Sequence, residues 1–116
     1  MAVTALTSVA VVKNIGSIIT ESGATAINAA NTCTAKFPKE DKLAILVNNT
    51  YAGAKKVTFS KGDFLAAGQG DLVASIAQND TQLFILTSDR FKKADGTISM
   101  SFEAGMTGFV EAIALP

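Results

Sequence analysis

Thr97-Ile98-Ser99-Met100-Ser101-Phe102-Glu103 is the stretch that decides the fold. Successive side chains of an extended chain point to opposite faces. Ile98, Met100 and Phe102 therefore share one side, and Thr97, Ser99, Ser101 and Glu103 share the other. An apolar side alternating with a hydroxyl side predicts a half-buried strand. Lys56-Val57-Thr58-Phe59-Ser60 repeats the pattern on a smaller scale.

Outward from there, segments rich in β-branched and aromatic residues and flanked by Gly, Asn, Asp or Ser read as further strands. They are Ser8–Val12, Ser17–Thr20, Thr34–Phe37, Leu43–Asn48, Lys56–Ser60, Leu72–Ala77, Gln82–Thr87 and Phe109–Leu115. Turn signals separate them. Asp95-Gly96 suits a tight turn because glycine accepts positive φ, and Asn79-Asp80 sits between two strands at hairpin spacing. Lys61-Gly62-Asp63 and Gly68-Gln69-Gly70-Asp71 bracket a short apolar link, Phe64 to Ala67, and Gly105 and Gly108 frame the turn into the last strand. The Ala-rich run from Ala24 to Ala30 suits a loop, and no segment sustains a 3.6-residue apolar repeat. The expected fold is all-β: one antiparallel β-sandwich domain over residues 1–116, with jelly-roll and immunoglobulin-like strand orders both open.

Two strands are too apolar for a solvated face. Leu43-Ala44-Ile45-Leu46-Val47 and Leu83-Phe84-Ile85-Leu86 show no alternation, as expected of strands covered on both sides. The cover is either another subunit or a loop such as Ala24–Phe37.

Composition narrows the function. Apolar residues make up 48% of the 116 and charged residues 17%, with ten basic side chains against ten acidic ones. The positive excess that steers a protein to nucleic acid or an anionic membrane is absent. A near-neutral, weakly charged chain favours self-association or docking on a larger body. No run approaches a membrane span, and Met1 to Ala10 lacks the basic region of a signal peptide.

The chain has no His and one Cys, so Cys33 has neither a disulfide partner nor the base a nucleophile needs. In Thr32-Cys33-Thr34 it reads as a small hydrophobe. Asp63, Asp71, Asp80, Asp89 and Asp95 all fall in expected loops, where Asp forms turns through its side-chain bonds to backbone; none sits in a spaced calcium loop. Gly68-Gln69-Gly70 leads into Asp71 and a strand, which is wrong for a phosphate cradle. Lys55-Lys56 and Lys92-Lys93 read as solvated strand ends, with Phe91 beside the second pair. Glu103 and Glu111 give no acid–base pair. No catalytic, cofactor-binding or metal-binding residue is assigned, and an enzyme is not expected. Tyr51 beside Asn48-Asn49-Thr50 forms the most polar loop next to a buried strand, either a small recognition surface or a lid on the end of the sandwich.

Several stretches together resemble small head-decoration proteins of tailed bacteriophages. They are Met1-Ala2-Val3-Thr4-Ala5-Leu6; Leu46-Val47-Asn48-Asn49-Thr50-Tyr51-Ala52-Gly53 with the Gly62-Asp63 and Gly68-Gln69-Gly70-Asp71-Leu72 turns; and Ser88-Asp89-Arg90-Phe91-Lys92 with Ala94-Asp95-Gly96 and Gly105-Met106-Thr107-Gly108-Phe109. The resemblance implies a structural virion protein on the outer capsid surface, assembled in the host cytoplasm, that bridges subunits of the major capsid protein. It also implies a homo-oligomer, a trimer in such proteins, and an extended N-terminal arm beside a β-rich body. The arm candidate lies within residues 1–10. Apolar and uncharged, it is suited to add a strand to a partner's sheet edge, and equally to be the first strand of its own body. Val3, Thr4 and Leu6, with Tyr51, are the candidate partner-binding residues. The alternative function is a binding module, a tail, receptor-binding or carbohydrate-binding component, although one Tyr and no Trp leave little for stacking on a sugar.

Overall fold

The computed structural model describes residues 3–11, 13–14, 25–37 and 42–116. The expected strand Ser17–Thr20 lies outside them. Among the described residues the strands are β1 (Val3–Ala5), β2 (Val9–Ala10), β3 (Thr25–Ala26), β4 (Thr32–Lys36) and β5 (Leu43–Asn49). They continue with β6 (Lys55–Phe59), β7 (Leu72–Ile76), β8 (Thr81–Leu86), β9 (Thr97–Phe102) and β10 (Gly108–Ala114). A 3₁₀ turn, Leu65–Gln69, and one helical turn, α1 (Ser88–Phe91), complete the set.

The strands form two five-stranded sheets. Sheet A runs β1-β4-β9-β6-β7; sheet B runs β2-β10-β5-β8, with β3 also on β10. Both are mixed, which corrects the expectation of antiparallel pairing throughout. The two parallel pairs are β1 with β4 and β2 with β10, and both come from the N-terminal segment. Strands of three and two residues carry no sequence signal of direction. Their direction is set by the edges they lie on.

The apolar side of β9 turns inward as expected, although Ser99 on its other side is buried as well. Ile98, Met100 and Phe102 enter the core, as do Val57 and Phe59 of β6 and Cys33 and Ala35 of β4. Sheet B supplies Leu43, Ile45 and Val47 from β5, Val110 and Ala112 from β10, and Leu86 from β8. The Phe59 ring lies 4.9 Å from Phe84 of the opposite sheet and 6.5 Å from Phe91, the latter edge-on. Burying such a side chain contributes roughly 1.5–3 kcal/mol.

Most connections pass between the sheets. Residues 77–80 lead from β7 in sheet A to β8 in sheet B, so Asn79-Asp80 is a crossover and not the expected hairpin. Asp95-Gly96 does make its tight turn, with Gly96 at φ 87°, but between α1 and β9. Gly108, at φ 131°, opens β10 where a side chain would run into the Asn48 carbonyl. Ile27 packs into the core, so that part of the expected covering loop fills the space between the sheets.

Candidate functional site

The two sheets turn different chemistry outward. On sheet A the residues between the core positions are Thr32 and Thr34 of β4, Ser99 and Ser101 of β9, Thr58 of β6, and Val73 and Ser75 of β7. Register brings them side by side, Thr34 against Ser99 and Thr58 between Ser101 and Val73. The face is partly solvated at Thr32, Thr34, Thr58 and Ser101 while Ser99 is buried, and β-branched and small side chains hold the extended backbone. Lys56, Thr58, Val73, Ser101, Phe102 and Glu103 line a shallow depression of about 350 Å³ there.

On sheet B the corresponding positions are aliphatic. Leu46 of β5 lies between Glu111 of β10 and Leu83 of β8; Ala44 lies between Ile113 and Ile85. Leu83 and Ile85 are 56% and 62% exposed. Towards β10 the same face is closed: Ala44, Ile113 and Glu111 are buried although Ala44 and Ile113 are not part of the core between the sheets. Glu111 is 1% exposed, and neither carboxylate oxygen has a hydrogen-bond partner among the described residues. Burial raises its carboxyl above the ordinary value, since desolvation penalises the charged form.

The loop after β5 is organised by Asn49, which is fully buried. Its amide nitrogen donates to the carbonyls of Gly53 (2.9 Å) and Ile76 (2.8 Å), and its side-chain oxygen accepts from the Tyr51 N–H (3.0 Å). One side chain thus ties sheet B, the Tyr51 loop and the end of β7 together. Tyr51 is 41% exposed, with the Lys55 ammonium 4.4 Å from its ring centroid. That ammonium also donates to the Ala104 carbonyl (2.9 Å) and lies 3.4 Å from Glu103. The result is an aromatic ring presented in a fixed orientation beside a cation.

The four expected partner-binding residues are not brought together. Val3 is 65% exposed on the outward side of β1. Thr4 pairs with Cys33, and its hydroxyl accepts from the Asn31 amide at 3.4 Å. Leu6 is buried in the core, its N–H bonded to the Thr34 carbonyl at 2.8 Å, so its side chain serves the body and presents nothing to a partner. Tyr51 precedes β6, from which β1 is separated by β4 and β9.

Of the loop carboxylates, that of Asp95 holds its own turn, while those of Asp63 and Asp71 tie together loops distant in sequence. Asp63 accepts from the Ala94 N–H, Asp71 from the Lys61 N–H, and Asp95 from both the N–H and the hydroxyl of Thr97. The last pair, the hydroxyl foremost, holds the Asp95 carboxyl below its ordinary value. Cys33 is buried, and desolvation raises its thiol. Phe91 is in the core, and the ring near the Lys92 ammonium is that of Phe64, 6.0 Å away.

Sequence reasoning placed Asn49 in a loop and missed its role. It weighed Glu111 only as an acid–base partner of Glu103, although period two sets it opposite Val110 and Ala112 on an otherwise apolar strand.

Among the described residues no group of three His, Cys, Asp or Glu side chains is placed to hold a metal ion, and no helix is long and apolar enough to cross a membrane. Searches against protein-family models, curated proteins and solved structures return no match for this chain.

Proposed function

We propose that this chain is a structural protein whose two packed sheets form a β-sandwich body that docks on other protein surfaces through the outward face of sheet B. The observation that carries this reading is the aliphatic strip of Leu46, Leu83 and Ile85, two of them more than half exposed. A face of this kind in a chain of zero net charge favours protein–protein contact over solvent. The resemblance to head-decoration proteins supplies the setting: the outer surface of a phage capsid, with the major capsid protein as partner and repeated weak contacts adding across a symmetric lattice.

Quantitative mass spectrometry of purified phage particles tests it. A copy number comparable to the major capsid protein is the expected result. Absence from particles overturns the virion reading, and a few copies per particle moves the chain to the tail.

The exposed Tyr51, held beside Lys55, favours a second reading as a small binding module. A glycan array silent with the wild-type chain removes its carbohydrate form.

A further inference from the structure

The edges of the two sheets are unequal. On the N-terminal side they are β1 and β2, strands of three and two residues that expose few backbone groups. On the opposite side they are β7 and β8. The β7 edge is partly satisfied, since the Gln82 side-chain amide donates to the Ser75 carbonyl at 3.0 Å. β8 pairs with β5 on one side and, among the described residues, with no strand on the other. It is six residues long, Thr-Gln-Leu-Phe-Ile-Leu, with no charge and no proline. Natural proteins protect free edges with charges, prolines, bulges or shortness. β8 has none of the first two and is among the longer strands.

We propose that β8 is the self-association edge, where a second copy of this chain pairs antiparallel about a two-fold axis at Phe84 and joins the two B sheets into one. The inference rests on the reading of sheet B as an interaction face and names its first occupant. A two-fold contact must be self-complementary. Centred on Phe84, the pairing sets Leu83 of each copy opposite Ile85 of the other, on the outward face. In each copy Leu46 stands beside Leu83 and Ala44 beside Ile85, so the aliphatic strip continues across the junction. Thr81 to Leu86 brings no charge against its own image, and zero net charge lets the copies approach without long-range repulsion. The edge of β8 gains backbone partners while two exposed aliphatic side chains leave water, the physical basis of strand addition.

Sedimentation of the purified full-length chain over a micromolar concentration series tests the proposal. The wild-type chain is expected to dimerise. L83K/I85K sets lysines against lysines and should give a monomer, with its circular dichroism and unfolding midpoint near wild type because both positions face outward. L83K/I85E sets each lysine opposite a glutamate in this register and should recover the dimer. A monomeric wild-type chain overturns the proposal, as does a trimer, which a closed two-fold contact cannot build, a dimer that survives L83K/I85K, or one that L83K/I85E fails to recover. None of these results depends on a capsid, so failure here is separable from failure of the docking reading, which is measured on particles.

Discussion

Sheets A and B share one core and differ on their backs. On sheet A polarity reports direction: Ser99 and Ser101 point out while Ile98, Met100 and Phe102 point in. On sheet B it does not. Leu83 and Ile85 are as apolar as Phe84 and Leu86, yet the first two face outward and are more than half exposed. Period-two polarity marks facing on sheet A because its outward positions are hydroxyl-bearing. The outward positions of β8 meet water as well, yet they are aliphatic, so its uniformly apolar run leaves the facing invisible.

The largest effect that tests this contrast belongs to β9. Phe102→Ala should lower unfolding free energy by ~3–5 kcal/mol, while the neighbouring Ser101→Ala should stay within ~0.5 kcal/mol, both by denaturant titration. Equal losses at the two positions would mean that the faces of sheet A are not distinct. The joint between the sheets comes next. Asn49→Leu leaves the Ile76 and Gly53 carbonyls and the Tyr51 N–H without that side chain and should cost roughly 2–4 kcal/mol. Asn49→Asp should be as damaging, because a carboxylate cannot donate to either carbonyl.

Glu111 probes the closed half of the back of sheet B. Its carboxyl is raised by burial above the ordinary value of 4.5, so the folded chain holds the proton more tightly than the unfolded chain. This contribution is fully present below the unfolded value and is lost as pH rises through the folded value. Unfolding midpoints of the wild type should therefore fall across that window relative to Glu111→Leu, which has no such dependence. At neutral pH Glu111→Leu should be more stable by roughly 1–3 kcal/mol. A less stable variant would show that the carboxylate is solvated or paired in the folded chain.

The smallest effect lies on the open half. Ile85→Thr should change the stability of the monomer by no more than ~0.5 kcal/mol, since its side chain already meets water. A loss of several kcal/mol at monomeric concentrations would place Ile85 in the chain's own core and erase the contrast between the halves.

Much of the framework was legible because local rules suffice for it. The strands from Leu43 onward sit within a residue or so of their expected ends, since each is bounded by Gly, Asn or Asp turns that act locally. Asp95-Gly96 turns as its composition requires. Pairing was less legible. Asn79-Asp80 has the spacing of a hairpin, but whether two consecutive strands share a sheet depends on how their faces pack. α1 was unread because four residues carry no periodicity. The candidate site was the least legible part. Tyr51 was read as a loop residue, and it is one. Leu6 sits with three other uncharged residues in Val3-Thr4-Ala5-Leu6, and nothing local says that it turns into the core.

The abundance of strands, the places where most of the later strands and turns fall, and the apolar character of two strands on both sides can all be read from the residues alone. These follow from backbone preference and period-two patterning, which act within a few residues. The parallel pairing of the N-terminal segment, the joining of the two sheets by Asn49, the burial of Glu111 and the place of β8 at the end of its sheet among the described residues come from the tertiary structure alone. Each depends on which distant strand becomes a neighbour, and that is settled by burying the shared core, not by any local stretch of residues.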